Sequence, residues 1–395
     1  MDEMLLFEDE VAAEGEVAWV VVWGFLGAAA IATLCTIYAA SGKKAPPTAA
    51  WPAQKEDTTS LQAVVSCFLA ASPPAGRVEA AMAFNEHTNE LILFGGLGAE
   101  GLLGDARVLS EMEWREIRSQ EAAPGARAAH SMVILGSTLL VYGGVADDET
   151  VYALDLDSFE WFRPRLDGGK PAPRKDASLS RWGDRAVLFG GRSDAFLNDV
   201  WLLDAISDDC LRWTRLDVRL DAYVPPARDR HAAVVVADEL VIFGGADASA
   251  GSLAPPGCVE TLDLLACRWK LRQTVGPAPS PQPGLQAHQV GADDPTVCVV
   301  STDSDGIFNQ VFLLAGILDS RYPATWTRLT LDWQSDWTMV PGRHHAHASA
   351  ASHSDGLIFL FGGHSGAGEP HDSMTVLDVA DAAAARKKER IPPVV

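Results

Sequence analysis

Apolar residues along the chain gather in short continuous runs, and several of these runs end in two adjacent glycines. In the stretch RAVLFGGRSD, residues 185–194, four apolar residues precede the glycine pair and charged residues follow directly. A continuous apolar run, rather than an alternating one, predicts a strand that is buried on both faces. Glycine has no Cβ and adopts positive φ easily, so the pair predicts a sharp turn and the close approach of a neighbouring element.

This pattern recurs with a spacing of about 50 residues, which is typical of a repeat architecture. A tryptophan, followed within three residues by an arginine, comes about 17 to 24 residues after each pair or its equivalent. A further apolar run lies between each glycine pair and its tryptophan, and another precedes the run that ends in the pair. Together with the segment that carries the tryptophan, these runs predict four strands in each unit. The glycine pairs are Gly95 and Gly96, Gly143 and Gly144, Gly190 and Gly191, Gly244 and Gly245, and Gly362 and Gly363, and the tryptophans are Trp114, Trp161, Trp213, Trp269 and Trp326.

One unit is degenerate and another is incomplete. Ser301 and Thr302 stand where a glycine pair is expected, although Trp326 keeps its position, so we count six units. The last unit reaches its third strand near residue 379 and has no tryptophan. Because an open sheet edge is unstable, we expect residues 61–67, LQAVVSC, to supply its fourth strand. The C-terminal ERIPPVV, residues 389–395, is the alternative donor, which its two prolines disfavour.

An uncharged segment precedes the repeats. Residues 17–40 contain no charged side chain in 24 positions. At a rise of about 1.5 Å per residue, a helix of that length exceeds a hydrocarbon core of about 30 Å. A cleaved signal peptide would have a basic start and a shorter apolar core, whereas residues 1–16 are acidic and lack Lys and Arg. The sequence therefore predicts a transmembrane helix.

Small residues give this helix a surface for packing against another helix. Gly24, Gly27, Ala28 and Ala32 allow two backbones to approach closely in lipid. Lys43 and Lys44 follow directly, which predicts that the C-terminal part lies on the positive-inside side. That side is the cytosol, or the matrix or stroma of an organelle, and the mitochondrial inner membrane is one membrane of this kind.

The repeat units resemble the Kelch repeat, whose four-stranded units form the blades of a β-propeller. The resemblance covers roughly residues 62–390 and rests on the combination of glycine pair, spaced tryptophan and four strands. It implies an all-β fold, a six-bladed Kelch-type β-propeller preceded by one transmembrane α-helix. The predicted domains are an acidic tail at 1–16, the membrane helix at 17–40, a linker at 41–60, the propeller at 61–390 and a tail at 391–395.

Composition narrows the classes of function. The net charge of −22, with basic residues clustered only in RKKER at 386–390, disfavours a nucleic-acid partner. Six cysteines without C-x-x-C spacing indicate free thiols.

The last unit is rich in histidine. His345 and His347 alternate and would share one strand face, as metal ligands do, and His344 and His353 lie close by in sequence. Histidines recur at the start of other units, which favours a structural role; those are His130, His231 and His288, taken to occupy matching positions. No nucleophile motif, phosphate loop or dinucleotide fingerprint is present. We therefore assign no catalytic, cofactor or metal residues.

The later units have the longer loops, and loops on a rigid scaffold are where binding concentrates. We expect partner contacts at Arg321, Tyr322, Trp333 and Trp337. The predicted function is a membrane-anchored protein–protein interaction module, an accessory or assembly subunit of a larger membrane complex. Its predicted partners are other protein subunits, reached through the loops and the membrane helix, and membrane lipid. The alternatives are a metal-dependent enzyme, or a receptor that binds a small molecule or carbohydrate at the histidine-rich unit or the propeller mouth.

Overall fold

The computed structural model describes residues 61–390 except 69, 119–120, 146–148, 220–222, 248–256, 292–294, 303–307, 334–346 and 365–368. The predicted tail at 1–16, the membrane helix at 17–40 with Gly24, Gly27, Ala28 and Ala32, the linker at 41–60 and the tail at 391–395 lie outside these residues. No helix among the described residues is both long enough and apolar enough to cross a bilayer.

The strands fall into antiparallel four-stranded sets that follow one another along the chain. Strand β1 is Gln62–Phe68. Set 1 comprises β2 (Ala81–Asn85), β3 (Glu90–Phe94), β6 (Ala106–Ser110) and β7 (Glu113–Ile117), with the short hairpin of β4 (Leu97–Gly98) and β5 (Gly101–Leu102) after β3. Set 2 comprises β8 (Ser131–Leu135), β9 (Thr138–Tyr142), β10 (Val151–Asp155) and β11 (Trp161–Phe162), and β12 (Arg165–Gly168) follows it. Set 3 comprises β13 (Ser178–Trp182), β14 (Arg185–Phe189), β15 (Val200–Ser207) and β16 (Cys210–Arg215).

The second half of the chain repeats this plan. Set 4 comprises β18 (Ala232–Val236), β19 (Glu239–Phe243), β21 (Cys258–Asp263) and β22 (Arg268–Val275), beside the short pair β17 (Arg228–Asp229) and β20 (Ala246–Asp247). Set 5 comprises β23 (Gln286–Val290), β24 (Thr296–Thr302), β25 (Phe308–Ala315) and β26 (Ala324–Arg328), and β27 (Thr330–Trp333) follows it. Set 6 contains β28 (Ala348–Ser352), β29 (Leu357–Phe361) and β30 (Met374–Asp378), and the helix α1 (Ala380–Arg390) comes next.

The first strand of each set contacts the first strand of the next set. These contacts run in the order β2, β8, β13, β18, β23 and β28, and β28 contacts β2 again. Apolar side chains fill the space between neighbouring sets; for example, Phe94 of set 1 packs with Val141 and Trp161 of set 2. This is the arrangement of a β-propeller, as the sequence predicts, with α1 as a helical addition that the sequence reasoning missed.

The N-terminal strand completes set 6, which confirms the predicted donor. Strand β1 pairs antiparallel with β30, with Val64 opposite Asp378 and Phe68 opposite Met374. Glu389 and Arg390, which begin the alternative donor, belong to α1, and the rest of that segment lies outside the described residues.

Segments that leave a fourth strand then pair in parallel with the fourth strand of the next set. An outer edge would otherwise leave its backbone groups unpaired, so these short pairings protect part of it. The paired residues are Ala71 with Glu113, Gly168 with Trp213, Thr274 with Ala324, and Thr330 with Gln62.

Closure through β1 predicts that small changes in this strand are costly. Val65 is fully buried between sets, so Val65→Ala should lower the free energy of unfolding by about 2 kcal/mol through the lost contacts and the cavity. Gln62→Ala in the exposed part of the same strand should change it by less than about 0.5 kcal/mol. Denaturant unfolding measures both. Equal, small effects would show that β1 does not close the ring.

Candidate functional site

The glycine pairs form the junctions between neighbouring sets. All ten glycines have positive φ, between 59° and 106°. A Cβ on the first glycine of each pair would lie only 2.3 to 2.9 Å from a backbone carbonyl oxygen at the start of the next set. The second glycine donates its N–H to that same oxygen at 2.8 to 3.0 Å. The accepting carbonyls belong to Arg127, Arg174, Arg228, Gln282 and, across the ring closure, Arg77.

Four of these opening residues are arginines whose guanidinium groups are buried. In each, Nη1 donates to the carbonyl of the first glycine of its own set, at 2.9 to 3.2 Å. Carboxylates compensate the charge, with N–O distances of 2.8 Å for Arg77 and Asp105 and 2.6 Å for Arg174 and Asp199. Burial would raise the pKa of Asp105, but hydrogen bonds and charge from Arg77 outweigh it and lower the pKa. These carboxylates are therefore ion-pair partners of the arginines at the junctions.

In sets 2 and 4 the buried arginine has different side-chain partners. Arg127 lies over the ring of Tyr152, with its guanidinium carbon 4.7 Å from the ring centroid. Arg228 pairs with Glu260 at 2.6 Å, and Tyr223 also donates a hydrogen bond to Glu260. Both members of the Arg228 pair are almost completely buried, so the ion pair needs these extra partners to offset its desolvation.

The tryptophans of the fourth strands pack at the same junctions. Each is buried and packs against the aromatic residue that precedes the glycine pair of the previous set. The ring centroids lie 5.2 to 5.7 Å apart. The pairs are Phe94 with Trp161, Tyr142 with Trp213, Phe189 with Trp269, Phe243 with Trp326, and Phe361 with Trp114.

The junction between sets 5 and 6 is built differently. Ser301 and Thr302 replace the glycine pair and Val300 replaces the aromatic residue, while β1 carries no tryptophan. An aliphatic cluster fills the space instead and includes Ala63 and Val65 of β1 with Val300 of set 5. Both halves of the aromatic contact are therefore missing at the same junction.

The histidines that recur in the sequence do not all occupy matching positions, which corrects one prediction. His130 and His231 each directly precede a first strand and pack on Phe94 and Phe189. Leu285 takes this place in set 5, whereas His288 lies inside β23 and bonds Ser349 Oγ at 2.9 Å. The turn between β23 and β24 has five residues where those of sets 2 and 4 have two, which brings His288 to the spacing of His130 and His231 in the sequence.

Burial holds these imidazoles neutral. Desolvation, followed by the charge of the nearby arginine, lowers the pKa of His130 and of His231 to about 3. Desolvation also lowers the pKa of His288 to about 3, with the charges of His353 and His347 adding to it. Among the described residues, no group of three His, Cys, Asp or Glu side chains is placed to hold a metal ion. His344 and His345 lie outside the described residues.

Two of the four predicted partner-binding residues lie together in the turn between β25 and β26. Arg321 and Tyr322 are exposed, and the Arg321 guanidinium lies 5.9 Å from the Tyr322 ring centroid. Arg321 also bonds the Asp319 carboxylate at 3.0 Å. Trp333 lies in β27 and packs half-buried on the aliphatic cluster at the junction between sets 5 and 6. Trp337 lies outside the described residues.

Arg272 of set 4 holds this turn in place. Its guanidinium donates to the carbonyl oxygens of Ile317 at 3.1 Å and Tyr322 at 2.8 Å, and also to that of Asp319. The sequence pattern of an arginine following Trp269 marked this residue, but nothing in it indicated a partner in the next set. The turn is thus preformed and not a loose loop.

A missing hydroxyl next to His130 generates a stability prediction. His231 Nε2 bonds Ser178 Oγ at 2.9 Å, but the equivalent residue beside His130 is Ala81, and neither His130 nitrogen has a hydrogen-bond partner among the described residues. Ala81→Ser should therefore raise the free energy of unfolding by about 1 kcal/mol, and Ser178→Ala should lower it by a similar amount. Thermal and denaturant unfolding measure both. Two neutral results would contradict this account of the histidine positions.

The depressed histidine pKa also predicts acid sensitivity. Since the pKa of His130 is about 3 when folded and 6.5 when unfolded, the unfolded state binds the extra proton as pH falls below about 6.5, and stability is lost in that range. The contribution of this residue approaches about 1.4 kcal/mol per pH unit. Stability of wild type and His130→Met, measured from pH 7 to pH 5, should show a shallower slope in the variant. Parallel curves would mean that His130 stays protonated or exposed.

Sequence comparisons with known proteins agree with the fold described above. The sequence model of the KLHDC2/KLHL20/DRC7 Kelch-repeats domain matches residues 57–245 and 150–331. Kelch domain-containing protein 3 of Homo sapiens is 33% identical over 139 residues, covering 33% of this chain and 35% of that protein. Tip elongation aberrant protein 1 of Schizosaccharomyces pombe is 32% identical over 177 residues, covering 42% of this chain and 15% of that protein. Acyl-CoA-binding domain-containing protein 5 of Arabidopsis thaliana is 30% identical over 241 residues, covering 55% of this chain and 35% of that protein.

The matched part of this chain thus spans between 15% and 35% of the length of these relatives. The family model, in contrast, covers more than half of the chain, through the same strands and junctions described above. This chain belongs to the KLHDC2/KLHL20/DRC7 group of Kelch-repeat domains.

Proposed function

We propose that the chain is a six-bladed Kelch propeller that binds other protein subunits as an accessory or assembly subunit of a larger membrane complex. Residues 17–40 anchor it, and the propeller lies on the positive-inside side of the membrane. Its partners are protein subunits, reached through the propeller loops and the membrane helix, together with membrane lipid. No role in nucleic-acid binding is proposed, because the net charge is −22.

Support for six blades comes from the strand order. Each set has the order of a propeller blade, and β1 gives set 6 its fourth strand. The contacts between first strands return from β28 to β2, which fits a closed ring of these sets.

The observation that carries the functional proposal is the preformed turn of residues 316–323. Arg272 fixes its carbonyl groups while Arg321 and Tyr322 stay exposed. A contact surface that is already ordered loses little conformational entropy on binding. Kelch-repeat domains are mainly protein-interaction modules, and the buried ionic groups of this ring are engaged in its junctions. We therefore propose Arg321 and Tyr322 as partner contacts.

Extraction in mild detergent followed by native mass measurement tests the proposal. We expect the protein to leave the membrane fraction only with detergent and to appear at the mass of a multi-subunit assembly, because an accessory subunit stays with its partners. A chain found in the fraction released without detergent would contradict the anchor. A chain that is extracted with detergent but migrates alone, or that turns over a substrate by itself, would contradict the accessory role.

A further inference from the structure

Two rows of residues lie at the end of each set where the second strand reaches its glycine pair, here called the glycine end. The outer row begins with Leu97 of set 1 and Val145 of set 2, each of which directly follows a glycine pair. Leu97 exchanges two backbone hydrogen bonds with Val78, at 2.8 and 3.0 Å, and Val145 donates to the carbonyl of Ala128 at 3.0 Å. The outer row is therefore fixed to the segments that open the sets.

The inner row consists of the residues two positions after each opening residue. Four backbone hydrogen bonds of 2.9 to 3.0 Å join them across sets 1 to 5, from Ala129 to Glu79, Asp176 to Ala129, Arg230 to Asp176 and Gly284 to Arg230. The side chains of this row are thus presented from an ordered backbone, which loses little conformational entropy when a partner binds.

The outer row is apolar and exposed in sets 1 and 2. Leu97 is 39% exposed, and Leu102, its partner in the hairpin of β4 and β5, is 42% exposed. Val145 is 49% exposed. The junction bond from Gly96 to Arg127 joins the two sets directly beside Leu97, so the three side chains belong to one surface. Adjacent exposed apolar side chains, unlike isolated ones, are typical of interaction sites.

Carboxylates border this apolar surface. Glu79 is next to Val78 in the segment that holds Leu97, and Glu100 is at the tip of the hairpin that carries Leu97 and Leu102. Both glutamates are exposed, and neither has a hydrogen-bond or ion-pair partner among the described residues. They differ in this from the carboxylates at the junctions, which arginines neutralise.

A third carboxylate extends this border into set 3. Desolvation, followed by the charges of Glu79 and Asp229, raises the pKa of Asp176 to about 6, and the charges of Lys175 and Arg230 offset only part of this. Glu79 and Asp176 therefore repel each other across the small residue that separates them in the inner row. A cation placed between the two carboxylates would relieve the repulsion and favour their charged forms.

Basic side chains enter the two rows only in sets 3 and 4 of the described chain. In set 3, Arg192 follows the glycine pair, and its guanidinium carbon lies 5.2 Å from the ring centroid of Phe196. In set 4, Arg230 is paired with Asp229 at 3.3 Å. The positions of the rows in sets 1 and 2 hold two exposed aliphatic side chains, one alanine and one glutamate, so this sector favours a cationic partner.

We propose that the glycine end of sets 1 and 2 docks a basic amphipathic segment of a protein subunit. The surface, here called the glycine-end patch, consists of Leu97, Leu102, Val145, Glu79, Glu100 and Asp176. Apolar side chains of the segment cover the aliphatic part, and its lysine or arginine side chains pair with the carboxylates. Apolar contact alone would accept many partners, whereas charge complementarity selects a cationic one. The inference rests on the proposed role as an interaction module and adds a surface separate from the turn of residues 316–323.

Peptide binding to the full chain in phosphatidylcholine nanodiscs tests the proposal. Three fluorescein-labelled peptides of about 12 residues are compared by fluorescence anisotropy, with empty discs as the background. In a Gly and Ser background, the first carries Leu and Lys, the second carries Leu and Glu, and the third carries Lys without Leu. The Leu/Lys peptide should bind at least about tenfold more tightly than the other two, and about 0.5 M salt should weaken it because the charges are screened. Equal binding of the three peptides, or binding of none, would overturn the proposal.

Two variants locate the contact on the glycine-end patch. Glu79→Gln with Asp176→Asn removes two of its charges, and Leu97→Ser with Leu102→Ser removes two of its apolar side chains. Each variant should weaken binding of the Leu/Lys peptide about tenfold. Unchanged thermal unfolding of both variants shows that the loss is local, since none of the four side chains lies in the core between sets.

Matched controls replace the same number of groups at the opposite end of the strands. Asp157→Asn with Asp208→Asn removes two exposed carboxylates from turns between third and fourth strands, and Ile206→Ser with Leu265→Ser removes two exposed apolar side chains there. Both controls should bind the Leu/Lys peptide as the wild type does. An equal loss in the controls would mean that the peptide responds to total charge or hydrophobicity, which would contradict a defined surface.

Protonation of Asp176 provides a further readout. Its carboxyl is neutral below about pH 6, so binding of the Leu/Lys peptide should weaken several-fold between pH 7.5 and pH 5.5. Asp176→Asn alone should remove most of this change. The same pH dependence in the wild type and the variant would exclude Asp176 from the contact.

Failure of this inference and failure of the proposed function give different results. If the peptide does not bind through the glycine-end patch but native mass measurement still finds a multi-subunit assembly, this inference is overturned and the accessory role stands. If the peptide binds there but the extracted chain migrates alone, the surface stands and the accessory role is wrong. Self-association of the chain that Leu97→Ser with Leu102→Ser abolishes would also overturn the inference, because the occupant would then be a second copy.

Discussion

The structure depends on one backbone hydrogen bond that is repeated between neighbouring sets. The N–H of the second glycine donates to the carbonyl of the residue that opens the next set, for example Gly96 to Arg127 at 2.8 Å. The first glycine leaves room for that carbonyl, since a Cβ on Gly95 would lie 2.6 Å from it. The guanidinium of Arg127 then donates to Gly143 of its own set, so each opening residue binds the set before it through its backbone and its own set through its side chain. Successive junctions therefore share a residue.

At the junction between sets 5 and 6, neither member of the aromatic contact is present. The tryptophan of one set packs on the aromatic residue of the set before it, so neither has its partner if the other is absent. Set 5 has Val300 where the aromatic residue belongs, and set 6 receives its fourth strand from β1, which presents Ala63 and Val65. Small aliphatic residues on both sides fill the space that two rings would occupy. Closure by a strand from the opposite end of the chain is thus compatible with dense packing, because both surfaces carry small aliphatic residues.

Much of this fold could be predicted from the sequence because its determinants are local and repeated. Glycine pairs, buried runs and spaced tryptophans each mark a position relative to the same unit, and the absence of a tryptophan in the last unit pointed to β1. The position of His288 could not be predicted, because five residues separate β23 from β24 where only two separate the equivalent strands of sets 2 and 4. His288 therefore precedes Ser301 by the same 13 residues that separate His130 from Gly143 and His231 from Gly244, although it lies three residues beyond the equivalent position, Leu285. The role of Arg272 was also hidden, since its carbonyl partners lie 44 to 50 residues away in an irregular turn. Trp333 was predicted as a partner contact, and the pairing of β27 with β1 places it half-buried against the aliphatic cluster between sets 5 and 6.

The distribution of charge separates the structural groups of this molecule from its candidate functional groups. The buried arginines and carboxylates are paired at the junctions, because a buried charge without a partner would carry a large desolvation cost. Buried histidines are held neutral and serve as packing and hydrogen-bonding groups between sets. The groups left to contact partners are exposed side chains on turns. Their positions are determined by contacts with the strand sets rather than by the sequence of the turn itself. Arg321 and Tyr322 show this dependence, since a guanidinium from the neighbouring set orders the turn that presents them. Substitutions in such a surface need not disturb the ring, because the junctions and the exposed positions of the turns use different residues.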